Sequence, residues 1–468
     1  MIRFVQRRPL TPCAALAILC SAGYSQPCAP LESELLVADD GGVGDGYGWA
    51  VAIDGDIAVV GAVNDDARGT DSGSVYILGF DGSGWDEADK IVPAGIRTND
   101  AFGDAVGISG NTIVVGAPGD DDSGSGAGSV FVFELINSVW TQSALLVPPP
   151  PADGDNFGSS VGIDGDTIVV GAMLDDDNGS NAGKAYIYRR VAGDWTLEAS
   201  FQSDDIAEFD RFGKDVAVSG DRVLISCDSD DDLGSASGSA YVFTRVGSVW
   251  TQTAKLLASD GDEDDQFGER LDIDQDTIII GARYDDAMGT WSGSAYIFEY
   301  DGVGWNEQIK LNAFDARSSE FFGHDVAIHN GRALVGAWGQ NDPFGIFNAG
   351  AAYAYSRTSE GWTLDRKIVA SDQEGWDFFG YSVAISSEHA IIGADGNDDF
   401  WWGEDAGAVY MITLNCEASC PADLNSDGSL NFFDVSYFLT NQVDFNNDSL
   451  FNFFDVSAFL AAFAAGCS

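Results

Sequence analysis

Short apolar runs separated by turn residues recur along most of the chain. Residues 157–199 give one unit, in which alternating apolar and β-branched residues predict strands at 160–163, 167–172, 184–188 and 195–200. The dipeptide Asp164-Gly165 predicts a two-residue hairpin between the first two strands. An acidic loop, 175–182, separates the second strand from the third. The unit shows no 3.6-residue period, which argues against a helical repeat.

This unit occurs seven times, and an aromatic-Gly dipeptide marks each copy. Successive glycines are 55 residues apart, with a final interval of 57, at Gly48, Gly103, Gly158, Gly213, Gly268, Gly323 and Gly380. The preceding aromatic residues are Tyr47, Phe102, Phe157, Phe212, Phe267, Phe322 and Phe379. A Trp recurs in phase at Trp85, Trp140, Trp195, Trp250, Trp305 and Trp362. Seven units of four short strands predict an all-β, seven-bladed propeller of four-stranded antiparallel blades.

The seventh copy ends at residues 412–416 without a Trp-bearing fourth strand. Residues 32–38 (ESELLVA) resemble the fourth strand of another copy, residues 253–258 (TAKLLA). We therefore expect the front of the chain to complete the last blade, which would remove the open sheet edges. Cys28 and Cys416 would then lie near one seam, and we predict a disulfide between them.

The FG dipeptide, the strand-turn of the type VAIDGD, the strand IVVGA and strands of the type GSVYVF, such as GSVFVF at 128–133, together resemble the FG-GAP repeat. That repeat is known from the head propeller of integrin α subunits and from bacterial surface proteins, and the resemblance covers about residues 32–415. It implies a ligand-binding propeller. The calcium loops of the integrin-type repeat do not carry over, because the corresponding connection here is a two-residue turn, too short to wrap an ion that takes six to eight oxygens.

Two acidic positions repeat within the blades, and two interpretations of them remain open: carboxylates that shape turns by accepting backbone N–H groups, or a ring of loop cation sites. The first position lies two residues before the aromatic one: Asp45, Asp100, Asp155, Asp210, Asp265, Glu320 and Asp377. The second follows the Gly-Ala strand end: Asp65-Asp66, Asp120-Asp121, Asp175-Asp176, Asp230-Asp231, Asp285-Asp286, Gln340-Asn341 and Asn397-Asp398.

The residue directly after each aromatic-Gly dipeptide varies between copies. If the first strand is the innermost, as is usual in propellers, these residues form a ring at one mouth of the central channel. They are candidate ligand contacts, although the variation is also consistent with an absence of constraint: Trp49, Asp104, Ser159, Lys214, Glu269, His324 and Tyr381.

From Cys420 onward the composition changes to two loops of regularly spaced oxygen donors. Such spacing surrounds a hard cation, as in EF-hand loops. The predicted ligands of the first loop are Asp423, Asn425, Asp427, Ser429 through its carbonyl, Asn431 and Asp434. Those of the second are Asp444, Asn446, Asp448, Leu450 through its carbonyl, Asn452 and Asp455. A short apolar helix is predicted after each loop.

Two such loops at short spacing, each with Asp at position 12, resemble a dockerin over residues 420–468. The ending Gly466-Cys467 resembles the Gly-Cys variant of tails on exported bacterial proteins. The resemblance implies calcium-induced folding and docking onto a cohesin-like receptor. Phe432-Phe433 and Phe453-Phe454 occupy positions that dockerins use for receptor contact, and a role in the core remains open for them. Cys420 and Cys467 bracket the module and are candidates for a second disulfide.

Composition and charge narrow the partners. A formal net charge of −53 argues against nucleic acid and against anionic membrane surfaces. Residues 1–25 have the basic start, the short apolar stretch and the small residues of a signal peptide, and no later segment has the pattern of a membrane helix. We therefore predict a signal peptide at 1–25, a propeller at 26–415 and a calcium-binding module at 416–468, in a monomer that is secreted or displayed at the cell surface.

The sequence favours a binding or adhesion protein over an enzyme. Only three His are present, and no nucleophile elbow, His-rich metal cluster or phosphate loop appears. His329 and His389 fall beside predicted hairpin turns and are expected to be solvated. A catalytic site should break the repeat symmetry with a cluster of unusual polar residues, whereas the substitutions look scattered along the chain. The propeller's ligand is an unidentified protein or glycan. The alternatives are an exported polysaccharide-acting enzyme and a structural spacer of the envelope.

Overall fold

A computed structural model describes residues 31–341, 346–397 and 406–414. Within these ranges the chain forms seven separate sheets, each of four antiparallel strands, and no helix. The predicted all-β, seven-bladed propeller is therefore confirmed. The predicted signal peptide, the two calcium loops with their helices, and Cys28, Cys416, Cys420 and Cys467 lie outside the described residues, so these remain predictions. Among the described residues, no helix has the length and apolar character to cross a bilayer.

Each blade runs from an inner strand at the channel to an outer strand at the rim. The inner strands are β2 (Tyr47–Asp54), β6 (Val106–Ser109), β10 (Phe157–Asp164), β14 (Val216–Ser219), β18 (Leu271–Asp274), β22 (Val326–His329) and β26 (Ser382–Ile385). The second strands are β3 (Ile57–Ala62), β7 (Thr112–Ala117), β11 (Thr167–Ala172), β15 (Arg222–Cys227), β19 (Thr277–Ala282), β23 (Arg332–Ala337) and β27 (His389–Ala394).

The third strands are β4 (Ser74–Phe80), β8 (Ser129–Ile136), β12 (Lys184–Val191), β16 (Ser239–Val246), β20 (Ser294–Tyr300), β24 (Ala351–Thr358) and β28 (Ala408–Thr413). The outer strands are β5 (Trp85–Ile91), β9 (Val139–Leu146), β13 (Asp194–Phe201), β17 (Val249–Leu256), β21 (Trp305–Leu311), β25 (Gly361–Ile368) and β1 (Leu31–Leu36). The blades are numbered one to seven from the one that begins with β2.

The front of the chain closes the ring, as predicted. Strand β1 pairs antiparallel with β28, with Leu31 opposite Thr413 and Leu36 opposite Val409, so that blade seven has the order β1-β28-β27-β26. The strand ends at Leu36, two residues earlier than the apolar pattern suggested. The Ser382 hydroxyl also donates to Gly48 O at 2.6 Å, which joins the inner strand of blade seven to that of blade one.

The predicted hairpin between the first two strands is correct in length but shifted by one residue. Asp164 pairs with Thr167, so the two turn residues are Gly165 and Asp166 rather than Asp164 and Gly165. Gly165 takes the positive φ of 54° that this turn requires. The shift frees the Asp164 side chain, whose Oδ2 accepts a hydrogen bond from Gly220 N of the next blade at 2.7 Å.

The hydrophobic core is divided into seven clusters, one between each pair of neighbouring blades. The repeated aromatic residue lies in each cluster with at most 1% of its surface exposed. This residue, which leads into the inner strand of its blade, also forms an isolated β-bridge with a glycine of the preceding blade, as Phe322 does with Gly293. A Cβ on Gly293 would lie 2.0 Å from Phe322 O, so only glycine fits there.

His389 contradicts the expectation of a solvated turn residue. It begins β27, is 5% exposed, and packs against Trp85 and Phe80 of blade one with ring centroids 5.3 and 4.7 Å away. Burial lowers the pKa of His389 below its usual value. The residue is therefore a core contact of the seam between the last blade and the first.

Candidate functional site

The inner strands of all seven blades line one central channel with a volume of about 660 Å³. Because each inner strand alternates its side chains, one set of residues faces the channel and the other packs between blades. Of the seven variable residues predicted to ring the mouth, two lie within their inner strands and five lie one or two residues before theirs. Those that line the channel are Trp49, Asp104, Ser159 and Tyr381.

Six of these seven residues form a continuous series of contacts around the mouth. Trp49 hydrogen-bonds Asp104 on one side and packs on Tyr381 on the other, with ring centroids 5.0 Å apart. His324 continues the series, 4.8 Å from the Tyr381 ring. Arg283, which sequence reasoning did not single out, then links His324 to Glu269.

The charged half of the mouth is an ion cluster. Arg283 lies 3.3 Å from His324 Nδ1 and 3.2 Å from Glu269 Oε1, and Lys214 lies 3.4 Å from the same Glu269 oxygen. Burial opposes ionisation of Glu269, but Lys214, Arg283 and Arg270 outweigh it and hold the Glu269 pKa below its usual range. Burial holds the pKa of His324 well below normal, so its ring is neutral at pH 7.

Ser159, the seventh member of the ring, is placed differently. Its Oγ is buried and finds no hydrogen-bond partner among the residues that the structure describes. Among the described residues, the predicted ring thus consists of six interacting side chains and one hydroxyl without a hydrogen-bond partner.

One residue deeper, the channel carries charges that sequence reasoning missed. Arg270 Nε lies 3.9 Å from Asp325 Oδ1, and Asp215 acts electrostatically on Arg270 from the other side. The other blades place Ala50, Ala105, Ser160 and Ser382 at this position. Aligning the seven copies column by column would have found these charges, because a column of small residues is interrupted by Asp, Arg and Asp in blades four to six.

The channel carboxylates also join neighbouring blades. Oδ2 atoms of Asp215, Asp272 and Asp325 accept the N–H of Leu271, Ile328 and Val383 in the next blade at 2.8, 2.8 and 2.6 Å. Enclosure by the channel walls raises the pKa of Asp272 and of Asp325 to about 7 in each case, despite these amides.

The two repeated acidic positions have structural partners, as the turn interpretation expects. Asp45, Asp100, Asp210, Asp265, Glu320 and Asp377 each accept the backbone N–H three residues earlier at 2.6–2.8 Å. At the second position, Asp65, Asp120, Asp175, Asp230 and Asp285 each accept the N–H two residues later. Whether any of these loops also holds a cation stays a hypothesis.

One group of buried side chains has the ligand types of a metal site. Asp210, Cys227 and Asp230 bring their ligand atoms within 4.8 Å of one another. Cys227 already donates to Asp210 O at 3.1 Å, and Asp230 is paired with Lys255 at 2.8 Å. Burial raises the Cys227 thiol pKa well above normal, which disfavours the thiolate that would bind a metal.

In blades five to seven, the face around the mouth carries a group of aromatic residues at positions where the other blades have mainly smaller or polar ones, with Leu174, Met173 and Phe209 as the large exceptions. We call this set the aromatic arc, and it consists of Tyr284, Trp291, Phe321, Trp338, Trp376 and Phe378. Neighbouring rings in it lie 4.6–6.4 Å apart. His324 joins the arc to the mouth ring, 5.9 Å from the Trp338 ring.

The arc revises the view that departures from the repeat are scattered. Its members come from three short segments, 284–291, 321–338 and 376–378, that are far apart in sequence and adjacent in the ring of blades. The signal was present in the columns: Trp291 stands where other copies have Asp71, Gly126, Asn181, Ala236 and Asn348. Only the circular order of the blades shows that these substitutions share one face.

A search of curated proteins finds no match to this chain. Among solved structures, a chain from the "Crystal Structure of Mitotic Checkpoint Complex" is similar in shape, with 10% sequence identity and a TM-score of 0.48 over 86% of this chain and 98% of that one.

The family comparison is specific. The FG-GAP repeat matches residues 31–78, 85–133, 140–188, 195–243, 250–298, 305–355 and 362–412. Each match begins with the outer strand of one blade and continues into three strands of the next, which is the stagger that lets β1 close blade seven. The chain therefore belongs to the FG-GAP repeat family, with seven repeats that build one seven-bladed propeller.

Proposed function

We propose that this chain is a secreted or cell-surface binding protein, acting as a monomer, whose propeller holds a protein or glycan ligand at the face that surrounds the channel mouth. FG-GAP propellers are binding or adhesion platforms, and the fold belongs to that family. The pattern of residues 1–25 supports export. The acidic surface argues against nucleic-acid partners.

The observation that carries the proposal is the asymmetry of one face. Most repeated polar residues are used by the scaffold, as the turn carboxylates show. The mouth ring and the aromatic arc depart from the repeat, and they do so side by side on blades five to seven and one. A surface that breaks the symmetry of an otherwise regular ring, and exposes aromatic rings, has the character of a recognition site.

A binding role agrees better with the channel than catalysis does. The carboxylates Asp215, Asp272 and Asp325, which have the enclosure that a general acid needs, each accept a backbone amide of the next blade. These hydrogen bonds give them a structural task. We therefore propose no enzymatic activity, and no purely structural spacer, for the propeller.

The C-terminal module completes the proposal as an anchor. Its two loops of oxygen donors would bind calcium, through Asp423 to Asp434 and Asp444 to Asp455, and the folded module would dock onto a cohesin-like receptor.

The platform is tested by probing protein and glycan arrays with the full chain. We expect one class of ligand to be retained, and retention to weaken when Trp49 and Tyr381 are both changed to Ala. An array on which the chain retains nothing would contradict the binding role and favour the spacer.

The anchor is tested by calorimetric titration of the full chain with calcium. We expect heat and a gain of helical circular dichroism in the wild type, and the loss of both in the double variant Asp434→Ala/Asp455→Ala. Equal titrations for the two proteins would refute the loop assignment.

A further inference from the structure

We propose that the aromatic arc binds an uncharged polysaccharide, with several sugar units lying along blades five to seven. This inference rests on the proposed function and names the ligand class and the surface that it uses. It concerns a site beside the channel mouth, and it assigns the mouth ring only the role of a neighbouring wall.

The rings of the arc are arranged as a track rather than as a pocket. Trp291, Phe321 and Trp338 are nearly parallel, with centroids 6.4 and 4.6 Å apart and interplanar angles of 24° and 12°. Phe378 meets Trp338 edge-on at 5.3 Å, and Trp376 meets Phe378 at 6.2 Å. The most exposed rings, Trp291 at 48% and Trp376 at 59%, lie at opposite ends of this series. A ligand that contacts both must be extended.

Four arc residues occupy loop positions at which the backbone takes a positive φ. Trp291, Phe321, Trp376 and Phe378 have φ values of 58°, 55°, 74° and 58°. Such left-handed conformations favour Gly, Asn and Asp, and other copies place Gly46, Gly126, Asn99 and Asn181 at the matching positions. Ala101, Arg211 and Phe209 take the same conformation outside the arc, so the positive φ belongs to the backbone of the repeat, and the arc residues occupy fixed loop positions of that backbone.

Hydrogen bonds between blades hold the arc in place before any ligand arrives. Phe321 N donates to Trp291 O at 3.2 Å, which ties the loop of blade five to that of blade six. Trp376 N donates to Phe347 O at 3.0 Å and Phe378 N to Asn348 O at 3.2 Å, which ties blade six to blade seven. A rigid set of rings loses little conformational entropy on binding.

The groups around the rings favour a ligand that is neutral and rich in hydroxyls. Exposed carboxylates lie close to them in the chain: Asp286 comes two residues after Tyr284, and Glu374 comes two residues before Trp376. Covering exposed carboxylates with an apolar protein would cost their hydration, whereas sugar hydroxyls can donate hydrogen bonds to them. The net charge of −53 repels anionic polymers. Pyranose rings have C–H faces that pack on aromatic rings.

A cationic ligand is less suited to the arc than a neutral one. The guanidinium of Arg283 already lies 4.6 Å from the centroid of the Tyr284 ring, so one cation–π position is taken by the protein itself. A second positive charge beside Arg283 would be repelled.

The test uses the full chain and three soluble neutral polysaccharides: galactomannan, xyloglucan and mixed-linkage β-glucan. Polygalacturonate and poly-L-lysine are the charged comparators. Affinity gel electrophoresis ranks the ligands, and calorimetry gives Kd values at constant salt. The variants are Trp291→Asn and Trp376→Asn, singly and together, because Asn occupies the matching positions of other copies with φ values of 50° and 65°. These substitutions should therefore preserve the fold.

The matched control is Phe209→Asn. Phe209 is the blade-four counterpart of Trp376, with φ of 71° and 57% exposure, but it lies outside the arc. We expect at least one neutral polysaccharide to bind, each single Trp variant to weaken binding about tenfold, and the control to bind as the wild type does.

Several outcomes would overturn the inference. They are binding only to polygalacturonate or to poly-L-lysine, equal Kd values for the Trp variants and the wild type, or an equal loss in the Phe209 control. If the arrays retain another ligand and no neutral polysaccharide binds, this inference fails and the platform stands. If no ligand of any class binds, both fail.

Discussion

Blades two and five have the same backbone and differ at the rim. In blade five, Tyr296 Oη lies 2.9 Å from Asp260 and 3.1 Å from Asp285, and Lys310 Nζ lies 2.8 and 2.5 Å from the same two carboxylates. Blade two has Gly95, Phe131 and Leu145 in place of Asp260, Tyr296 and Lys310. These three are changed together, whereas the fourth member, Asp285, has the counterpart Asp120 in blade two.

The difference shows what the repeat constrains. A buried tyrosine hydroxyl and a buried ammonium both need acceptors, so losing Asp260 alone would make Tyr296 and Lys310 costly. Blade two lacks all three and keeps the buried carboxylate Asp120, which accepts from Ser129 Oγ at 2.6 Å and from Asp122 N at 2.8 Å. Phe131 packs edge-on against Phe102 at 5.3 Å, as Tyr296 does against Phe267. The backbone that positions either set is the same, which is why the arc on blades five to seven can also differ without altering the fold.

The largest expected effect tests whether the two backbones are equivalent. A Cβ on Gly293 or Gly128 would lie 2.0 or 2.1 Å from the carbonyl of Phe322 or Phe157. We expect Gly293→Ala and Gly128→Ala to lower the free energy of unfolding by about 3 kcal/mol or more, and equally, since a positive φ and a backbone clash combine. Denaturant unfolding measures both.

Gly302→Ala is the control for these two variants. Gly302 has φ of 91° with nothing within 4 Å of its added Cβ, so only the conformational cost of about 1 kcal/mol applies. A large loss of unfolding free energy for one of the two buried-glycine variants and a small loss for the other would show that the two backbones are not equivalent.

The second prediction removes the ammonium group from the ion pairs at the rim of blade five. Lys310→Leu, which copies Leu145, leaves Asp285 buried without its cation, because the Asp285 side chain is only 4% exposed. We expect a loss of about 2–3 kcal/mol, somewhat less than for a fully buried pair since Lys310 is partly exposed. Calorimetric unfolding gives the value.

The triple variant Asp260→Gly/Tyr296→Phe/Lys310→Leu sharpens that test by copying blade two completely. Its total cost should be smaller than the sum of the three single costs, because the members depend on one another. Additive costs would mean that the concerted change between the blades has no energetic basis.

The third prediction concerns the pH dependence of folding stability, to which the channel wall of blade five contributes through a carboxylate that blade two lacks. Blade five places Asp272 where blade two has Gly107, and enclosure raises the Asp272 pKa to about 7 from an ordinary 3.8. The folded state therefore holds a proton that the unfolded chain releases, and this residue makes stability fall as pH rises from about 4 to about 7.

Asp272→Asn should remove that dependence while keeping an oxygen that accepts from Ile328 N. We expect the gain in stability at pH 8 to exceed that at pH 4 by up to about 4 kcal/mol, because one unit of pKa difference corresponds to about 1.4 kcal/mol. Thermal unfolding across this range measures it. A variant that is less stable at pH 8 would show that the charged carboxylate is favoured there.

The smallest effect concerns the left-handed position of the mouth-face loops. Phe209→Asn gives blade four the residue that precedes blade two, Asn99, at a φ near 70°. We expect a gain of about 0.5–1 kcal/mol, because Asn tolerates this conformation better than Phe. Trp291→Asn should gain less, since it also loses the packing against Phe321; an equal gain would mean that this packing contributes nothing.

Much of the fold was readable from the repeat. The 55-residue interval, the aromatic-Gly dipeptide and the missing last strand predicted seven blades and their closure by the front of the chain, and β1 pairs with β28 as expected. The small errors, such as the shifted hairpin at Gly165, are of the size of one residue. They arise because Asp164 and Asp166 both suit a turn, and only the pairing with Thr167 decides which one belongs to it.

The candidate site was only partly predictable. The mouth ring followed from the repeat position and the expected inner strand, whereas the ion cluster needed Arg283, which comes from a different column. The arc was missed because its residues belong to five positions of the repeat and three copies, and each substitution alone looks ordinary. Residues of such a face are far apart in the sequence. They meet only because consecutive blades are adjacent in the ring, which brings different positions of the repeat together.

The sequence by itself determined the number of blades, the order of their strands and the positions that must be glycine or aromatic, because each of these follows from local geometry repeated at a fixed interval. The tertiary structure alone decided which of the variable side chains meet. Closing the sheets into a ring places residues about 55 positions apart in direct contact, and the identity of each contact then depends on the packing of neighbouring blades rather than on any run of residues along the chain.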